Sequence, residues 1–329
     1  MSFITISKTN FFHNLDFLSK KLGGKNKLAV VLKDNAYGHG LVLMAKLSYE
    51  FGIKKAVVKS EDEAREIENF FDDILVLNPK FKTQSFSLVV NSLNHLNLAD
   101  KNQKLHIKVD TGMHRNGIMI DEIEKAFEIC HDKSLNITAI MTHFRSADEL
   151  GTELFWQEKQ WKETKSLVEK LCKKHNFALP LFHSENSAAV LRKNSHHDDF
   201  ARCGISIYGY HEMPEVYGKY DLKPVLKLYA QKITSRELKK GSRVGYGGVG
   251  ILDRDSTVST YDIGYGDGFF RQLYPKMVGR VSMDSFSMLG DADEVCIIDD
   301  AKETAKYNNT ISYDVLVKLK PEIKRVVIN

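Results

Sequence analysis

The chain has 329 residues, which is long for one hydrophobic core and favours a large domain followed by a smaller one. Its 43% hydrophobic and 27% charged residues are ordinary for a soluble globular protein. The net charge of +4 is small and spread along the chain, so a nucleic-acid-binding surface is not expected. No apolar run is long enough to cross a bilayer, and no membrane partner is expected.

The four cysteines, at positions 130, 172, 203 and 296, are widely spaced and form no C-x-x-C pair. This pattern argues against a zinc site or a disulfide framework, and we expect no metal and reduced thiols. The first eight residues alternate like a strand and lack the apolar region of a signal peptide. The expected location is therefore the cytoplasm.

Segments with strand character alternate with helical segments from residue 10 to residue 208. Strands are predicted at residues 27–32, 55–59, 74–77, 87–90, 105–109, 137–142, 181–183 and 205–208. Helices are predicted at residues 10–22, 41–50, 60–70, 121–131 and 154–174. About eight strands in alternation with helices favour an α/β fold, a (β/α)₈ TIM-like barrel spanning residues 8–224. A doubly wound sheet is the competing prediction, and it is weakened because no G-x-G-x-x-G follows the first of these strands.

The helix predicted at residues 60–70 begins with a clear start signal. Ser60 is followed three residues later by Glu63, which is the sequence of a capping box. In a capping box each of the two side chains accepts a hydrogen bond from the backbone N–H of the other residue. We therefore expect Glu63 to be engaged with Ser60.

The pattern changes after Pro224. Strands are predicted at residues 225–233, 257–262, 279–283 and 295–298, separated by Gly and Asp turns, and a helix is predicted at 312–319. Strands without intervening helices indicate a mainly-β C-terminal domain over residues 225–329.

The most informative stretch is the end of the strand that precedes Lys33. The apolar run stops on this lysine and is followed by the turn formers Asp34, Asn35 and Gly38. Parallel α/β folds place catalytic groups at such strand ends, and a desolvated amine there can attack a carbonyl to form a Schiff base. From spacing alone, a solvated strand end is the commoner explanation.

Six motifs in the chain resemble those of alanine racemases and occur in the same order. They are residues 31–40 (VLKDNAYGHG), 108–117 (KVDTGMHRNG), 202–205 (RCGI), 243–248 (RVGYGG), 264–268 (GYGDG) and 279–284 (GRVSMD). The resemblance implies a pyridoxal-phosphate (PLP) dependent enzyme in which Lys33 carries the cofactor. It also implies that the N-terminal strand, residues 1–7, joins the C-terminal domain.

The resemblance implies a set of cofactor contacts. They comprise Tyr37, Ser187 and the N–H groups of Gly204 and Ile205 at the phosphate, Arg202 at the pyridine nitrogen, and His143 against the cofactor. Ser187 also follows a predicted strand and opens a helix, where N–H groups can bind an anion. Without the motifs, an ordinary helix cap and a surface arginine would be the simpler explanations of Ser187 and Arg202.

An arginine beside the pyridine nitrogen has a chemical consequence. Because arginine is always charged and can only donate, it leaves that nitrogen unprotonated and makes the ring a weaker electron sink. A carbanion at the substrate Cα is then less delocalised, which favours its reprotonation over transamination. Arg202 therefore suits a racemase.

Racemisation needs two bases on opposite faces of the substrate. The resemblance implies Lys33 as one base and Tyr246, from the partner subunit of a homodimer with shared active sites, as the other. It assigns Arg115, Met283 and Tyr265 to substrate binding and makes Lys108 a candidate for carbamylation. A glycine-flanked tyrosine such as Tyr246 could otherwise be a simple hairpin residue.

The C-terminal end departs from the family pattern. Relatives usually end in Arg-Val-Pro-Arg-x-Tyr, and Val327 stands where the tyrosine would be. The resemblance therefore implies one phosphate contact fewer and a wider entrance.

The expected function is the PLP-dependent interconversion of L- and D-alanine, which supplies D-alanine for peptidoglycan. A racemase of broader substrate range remains an alternative, because pocket volume cannot be deduced from the sequence. A non-catalytic PLP carrier is less favoured because residues 225–329 form an extra domain. An amino-acid decarboxylase is disfavoured by Arg202, because it would require an acidic group at that place.

Overall fold

The computed structural model describes residues 1–272, 274 and 276–329. The chain divides into two compact units, both assembled from separate segments. The larger unit contains Phe12–Ala36 and Leu41–Leu222, and the smaller unit contains Met1–Phe11, Tyr37–Gly40 and Lys223–Asn329.

The strands of the described residues are numbered in chain order. They are β1 (Phe3–Ser7), β2 (Leu28–Val31), β3 (Lys55–Val58), β4 (Asp73–Val76), β5 (Ser87–Val90), β6 (Lys104–Asp110), β7 (Ile118–Met119), β8 (Asn136–Met141), β9 (Leu181–His183), β10 (Ala201–Cys203), β11 (Leu226–Leu238), β12 (Arg243–Val244), β13 (Gly250–Ile251), β14 (Ser256–Tyr261), β15 (Phe286–Leu289), β16 (Glu294–Ile298) and β17 (Lys324–Ile328).

The helical segments are numbered in the same way. They are α1 (Lys8–Leu22), α2 (Lys33–Tyr37), α3 (Leu41–Phe51), α4 (Glu61–Ile67), α5 (Leu93–Leu98), α6 (Ile123–Asp132), α7 (Glu153–His175), α8 (Ser187–Arg192), α9 (Ala301–Tyr307) and α10 (Ser312–Val317). Short 3₁₀ turns lie at Lys25–Lys27, Glu68–Phe70, Ile120–Glu122, Ile205–Tyr208, Glu215–Tyr217, Tyr246–Gly248 and Tyr265–Asp267.

The larger unit is a nearly closed parallel barrel, which confirms the predicted fold class. Among the described residues its eight main strands follow the order β10-β2-β3-β4-β5-β6-β8-β9, and each neighbouring pair is parallel. The two end strands approach each other where the Arg202 N–H donates to the Glu185 carbonyl over 2.9 Å. All four residues of β2 are buried, as expected for a strand covered on both faces.

One barrel strand was predicted at the wrong place. Residues 205–208 form a 3₁₀ turn, and the strand is Ala201–Cys203. The alternation Ile-Ser-Ile-Tyr resembles a strand, but all four side chains are buried, so no face is exposed. Gly209 ends the turn with φ +97°, a conformation that glycine adopts without strain.

The smaller unit is mainly β, again as predicted for the C-terminal part. Its main sheet has the order β15-β14-β11-β1-β17, with β16 also paired to β11. The N-terminal strand β1 pairs antiparallel with β11 and parallel with β17. Residues 279–283 are not a strand, contrary to prediction, since Gly279 has φ +80° and the Ser282 N–H closes a turn onto the Ser285 carbonyl.

Helix α9 was missed in the sequence, and its start is fixed by the Asp300 side chain, which accepts from the Lys302 N–H. Among the described residues, no helix combines the length and apolarity that a membrane span requires.

Candidate active site

The half-buried Lys33 lies at the carboxyl end of the buried strand β2. The strand end is held by Tyr208, which is fully buried and whose phenol donates to the Val31 carbonyl over 2.9 Å. A lysine at this position is presented from a rigid element, as catalytic groups on barrel rims usually are.

The backbone that follows Lys33 has the opposite hand to an ordinary helix. Asp34, Asn35, Ala36 and Tyr37 have φ values of 54°, 55°, 52° and 52°. Left-handed helical backbone costs about 1–2 kcal/mol per L-residue, and runs of non-glycine residues in it are rare. Such strain persists only where surrounding contacts impose it, and it is concentrated at functional sites.

Arg202 lies among the barrel strands and is almost completely buried. One terminal nitrogen donates to Nδ1 of His183 over 2.6 Å and to the His183 carbonyl over 2.9 Å. The other donates to the Thr142 carbonyl over 2.7 Å and to the Ser184 carbonyl over 3.2 Å. Burial lowers the pKa of Arg202 to about 10, so the side chain remains charged at neutral pH. These bonds leave its Nε–H without a partner among the described residues.

Two buried histidines continue the hydrogen bonding behind Arg202. Because arginine can only donate, Nδ1 of His183 is the acceptor and its Nε2 carries the proton. That Nε2 lies 3.1 Å from Nδ1 of His106 and donates to it. Burial lowers the pKa of His106 to about 4 and that of His183 well below the ordinary value, so both rings are neutral.

The predicted cationic residues converge around His143. Loss of hydration, followed by the charges of Arg202, Lys108, Arg115 and Lys33, lowers the pKa of His143 well below its ordinary value. The side chain is therefore neutral, and the groups that disfavour its charged form after burial are Arg202, Lys108, Arg115 and Lys33. A concentration of positive charge at one rim of the barrel favours an anionic ligand.

Phosphate donors converge at the start of α8. Ser187 Oγ accepts from the Gly204 N–H over 2.9 Å and from the Ser206 N–H over 3.5 Å. Its own proton has no acceptor within the described part of the chain. The Oγ of Ser206, also buried, has no partner there either. Ile205 begins a 3₁₀ turn, whose first N–H groups have no acceptor inside the turn.

These donors fit pyridoxal phosphate. The hydroxyl of Ser187 and the N–H of Ile205 suit its phosphate, and the spare Nε–H of Arg202 suits an unprotonated ring nitrogen. The amine of Lys33, which follows β2, suits its aldehyde. Among the described residues, no cluster of His, Cys, Asp and Glu has the arrangement of a metal site.

Lys108 is a second lysine at the site, on β6. It is 6% exposed, and burial together with the charges of Arg115 and Arg202 lowers its pKa to about 8. Its amine donates to the side chain of Asn116. A lysine with this pKa is partly neutral at working pH and therefore nucleophilic.

Gln157 was missed in the sequence analysis because it lies in a charged helix, α7. It is fully buried, and its Oε1 accepts from the Arg145 N–H over 2.9 Å. Its Nε2 donates to Thr111 Oγ1 over 3.3 Å and to the His143 carbonyl over 3.5 Å. One side chain thus connects α7 with the segment that leads to Arg115 and with the segment that carries His143.

The segment after β6 also packs against Trp156 of α7. A Cβ on Gly112 would lie 2.3 Å from Cζ3 of Trp156, so only glycine fits there. Arg145 donates to the Gly112 carbonyl over 2.8 Å. Arg115, three residues after Gly112, is exposed.

The remaining predicted residues belong to the smaller unit. Tyr37 is 7% exposed, and its ring centroid lies 5.8 Å from that of Tyr313, an aromatic neighbour that the sequence analysis missed. The other side chains assigned to this unit are more exposed in the single chain: Tyr246 by 66%, Met283 by 55%, Tyr265 by 38% and Val327 by 38%.

A parallel barrel with a lysine at a strand end, phosphate donors and a buried arginine, joined to a mainly-β unit, defines a PLP-dependent enzyme of the amino-acid racemase class. The family model for the alanine racemase N-terminal domain matches residues 6–212, and that for the C-terminal domain matches residues 225–327. The chain belongs to the alanine racemase family.

Individual relatives agree over full length. The alanine racemase of a Nitratiruptor species is 50% identical over 333 residues, covering 100% of both chains. The structure of alanine racemase from Bartonella henselae with covalently bound pyridoxal phosphate is 25% identical, with a TM-score of 0.85 and 99% of each chain covered. The structure of alanine racemase from Bacillus anthracis with bound L-Ala-P is 25% identical, with a TM-score of 0.86. The match covers 100% of this chain and 95% of that one. The family depends on pyridoxal phosphate.

Proposed function

We propose that the chain interconverts L- and D-alanine with two bases, Lys33 and Tyr246 of the partner subunit. The observation that carries the proposal is that Lys33 follows β2 while the buried Arg202 lies on β10, the strand paired with β2. In the proposal Arg115 supplies a cation for the substrate carboxylate, Lys33 an amine that moves a proton and Arg202 a donor for the cofactor ring.

When bound, the cofactor supplies an aldehyde for the amino group and a conjugated ring that delocalises the electron pair left at Cα. In the proposal Lys33 would hold the cofactor through its Nζ, and the same Nζ would take or give the Cα proton on one face of the substrate. The neutral His143 adds no further charge beside the lysine. Arg202 donates its spare Nε–H to the ring nitrogen, which favours return of a proton to Cα.

Tyr246 acts on the opposite face. Gly245 with φ +75° and Gly247 with φ +71° present it on an exposed turn, and its phenol can give or take a proton. Ile233 and Ile251, 60% and 58% exposed, add apolar surface to the same unit, which supports a homodimer.

Arg115 binds the substrate carboxylate through its guanidinium fork, and Met283 and Tyr265 of the partner complete the pocket. Tyr37, Ser187 and the N–H of Ile205 hold the phosphate, and the Gly204 N–H, also predicted at the phosphate, donates to Ser187 Oγ over 2.9 Å and orients that hydroxyl. Lys108 is the candidate for carbamylation. Because Val327 stands where relatives have a tyrosine, we predict weaker binding of the cofactor phosphate.

The physiological role we propose is supply of D-alanine for peptidoglycan in the bacterial cytoplasm. It is supported by the bacterial relative and by four unpaired cysteines, Cys130, Cys172, Cys203 and Cys296, which suit a reducing compartment.

Incubation of the PLP-loaded protein with L-alanine in D₂O tests the proposal. We expect D-alanine that carries deuterium at Cα. Deuterium incorporation without change of configuration would contradict the two-base mechanism, and no incorporation at all would favour a non-catalytic carrier. Faster reaction with a larger amino acid in parallel assays would favour a racemase of broader range.

A further inference from the structure

We propose that Glu63 is a positioning residue for Lys33, acting through the left-handed turn α2. The inference rests on the proposed role of Lys33. It starts from the strained backbone of residues 34–37, which the two-base mechanism does not explain.

Glu63 holds two strand ends with one carboxylate. Its Oε1 accepts from the Asp34 N–H over 2.7 Å, and its Oε2 accepts from the Lys59 N–H over 2.7 Å. Asp34 follows β2 and Lys59 follows β3, so the contact ties the lysine turn to the adjacent barrel strand.

The contact reaches Lys33 through the peptide plane. The N–H of Asp34 belongs to the same planar unit as the carbonyl of Lys33, so fixing one fixes the other and with it ψ of Lys33. At the far end of the turn, Asn35 Oδ1 accepts from the Leu41 N–H over 2.9 Å. The two contacts bracket the strained residues, and Glu63 is the one beside the lysine.

The capping geometry at α4 supports the same conclusion. Ser60 Oγ accepts from the Glu63 N–H over 3.2 Å, as predicted for a capping box. The reciprocal half differs from prediction, because the carboxylate of Glu63 is directed to Asp34 and Lys59. Glu63 therefore serves the lysine turn in addition to its own helix.

Neighbouring groups hold other atoms of the turn. The Ala36 N–H donates to the Leu32 carbonyl over 2.8 Å, across Lys33, but the Asp34 N–H donates to Glu63. Lys59 Nζ lies 3.0 Å from the Asp34 carboxylate, but the two side chains are 56% and 38% exposed, where ion pairs contribute little. That pair also joins side chains only, so it does not hold the Asp34 N–H.

Glu61 offers a matched control on the same helix. Its Oε1 accepts from the Lys80 N–H over 3.0 Å and from the Lys82 N–H over 3.3 Å. Glu61→Ala therefore removes two backbone contacts, as Glu63→Ala does, but from a segment remote in sequence from Lys33.

The experiment measures covalent attachment of PLP to the cofactor-free full-length chain, by absorbance and by borohydride trapping with peptide mapping. We expect Glu63→Ala to slow attachment at Lys33 at least tenfold and Glu61→Ala to change it less than twofold. Equal slowing in both variants, or none in Glu63→Ala, would overturn the inference. If Glu63→Ala does not fold, Glu63→Gln is measured by the same criterion.

A second substitution separates positioning from general stability. Ala36→Gly removes the penalty of left-handed backbone at one of the four residues, so in the Glu63→Ala background it should raise the attachment rate at least threefold. No recovery would contradict action through the turn. A borohydride label on another lysine of the unaltered chain would instead refute the proposed function itself.

Discussion

Arg202 donates to Nδ1 of His183 over 2.6 Å, and this one bond determines the proton positions on two rings. His183 must carry its proton on Nε2, and His106 must accept it on Nδ1. In the barrel interior, hydrogen bonds therefore join the charged Arg202 to the neutral ring of His183 and that ring to the neutral ring of His106.

The first prediction concerns acid stability. The pKa of His106 is lowered from 6.5 to about 4 in the folded chain. Between these two pH values the imidazole is therefore protonated in the unfolded chain but not in the folded chain. The contribution of this histidine to stability should therefore be present above pH 6.5 and be lost as the pH falls towards 4. His106→Asn, which keeps an acceptor near Nδ1, should flatten the dependence in urea denaturation, whereas exposed His197→Asn should not. An unchanged slope in His106→Asn would contradict the prediction.

A second prediction concerns Gln157. Gln157→Met keeps the volume but removes the bonds to Thr111, His143 and Arg145, and we expect KM for alanine to rise about tenfold. The matched control is Gln160→Met on the same helix. In an Arg115→Ala background, Gln157→Met should have little further effect on KM if it acts through that segment. Full additivity would show that the two residues are independent.

The third prediction concerns Lys108. With a pKa of about 8, its amine becomes neutral as pH rises through that value and can add carbon dioxide. Isotope-labelled bicarbonate should give a carbamate NMR signal that grows with pH and is lost in Lys108→Ala. Lys104→Ala, exposed at the start of the same strand, serves as the control. A signal that survives Lys108→Ala would place the adduct elsewhere.

The fourth prediction tests the shared site. Lys33→Ala and Tyr246→Phe should each lose nearly all racemase activity. When the two inactive variants are mixed and allowed to exchange subunits, half of the dimers should regain one intact site, giving about a quarter of the activity of the unaltered protein. No recovery, despite proven subunit exchange, would mean that both bases come from one chain.

The barrel could be predicted because strands covered on both faces appear in the sequence as short apolar runs, such as the one before Lys33. The predicted strand ends placed Lys33 and His143 at the barrel without any structure, whereas Arg202 was found only through the resemblance of residues 202–205 and lies inside strand β10. The predicted strand at residues 205–208 was wrong, since alternation in sequence does not reveal that all four side chains are buried.

The supporting residues could not be predicted. Gln157 lies on a charged helix, and only its complete burial distinguishes it from a solvated glutamine. Asp34 and Asn35 indicated a turn, but no residue propensity predicts that Ala36 and Tyr37 also adopt left-handed backbone conformations. Such conformations depend on tertiary contacts, and a local pattern does not contain them.

Residues Tyr37–Gly40 belong to the smaller unit, although the chain on either side belongs to the barrel. Within that unit a Cβ on Gly38 would lie 2.1 Å from the Leu316 carbonyl, and Arg325 donates to the Gly38 carbonyl over 2.9 Å. Dividing the chain at one position therefore does not yield either unit complete. A fragment made by division between residues 222 and 223 would lack part of the packing of the smaller unit, so that unit has to be produced together with the barrel.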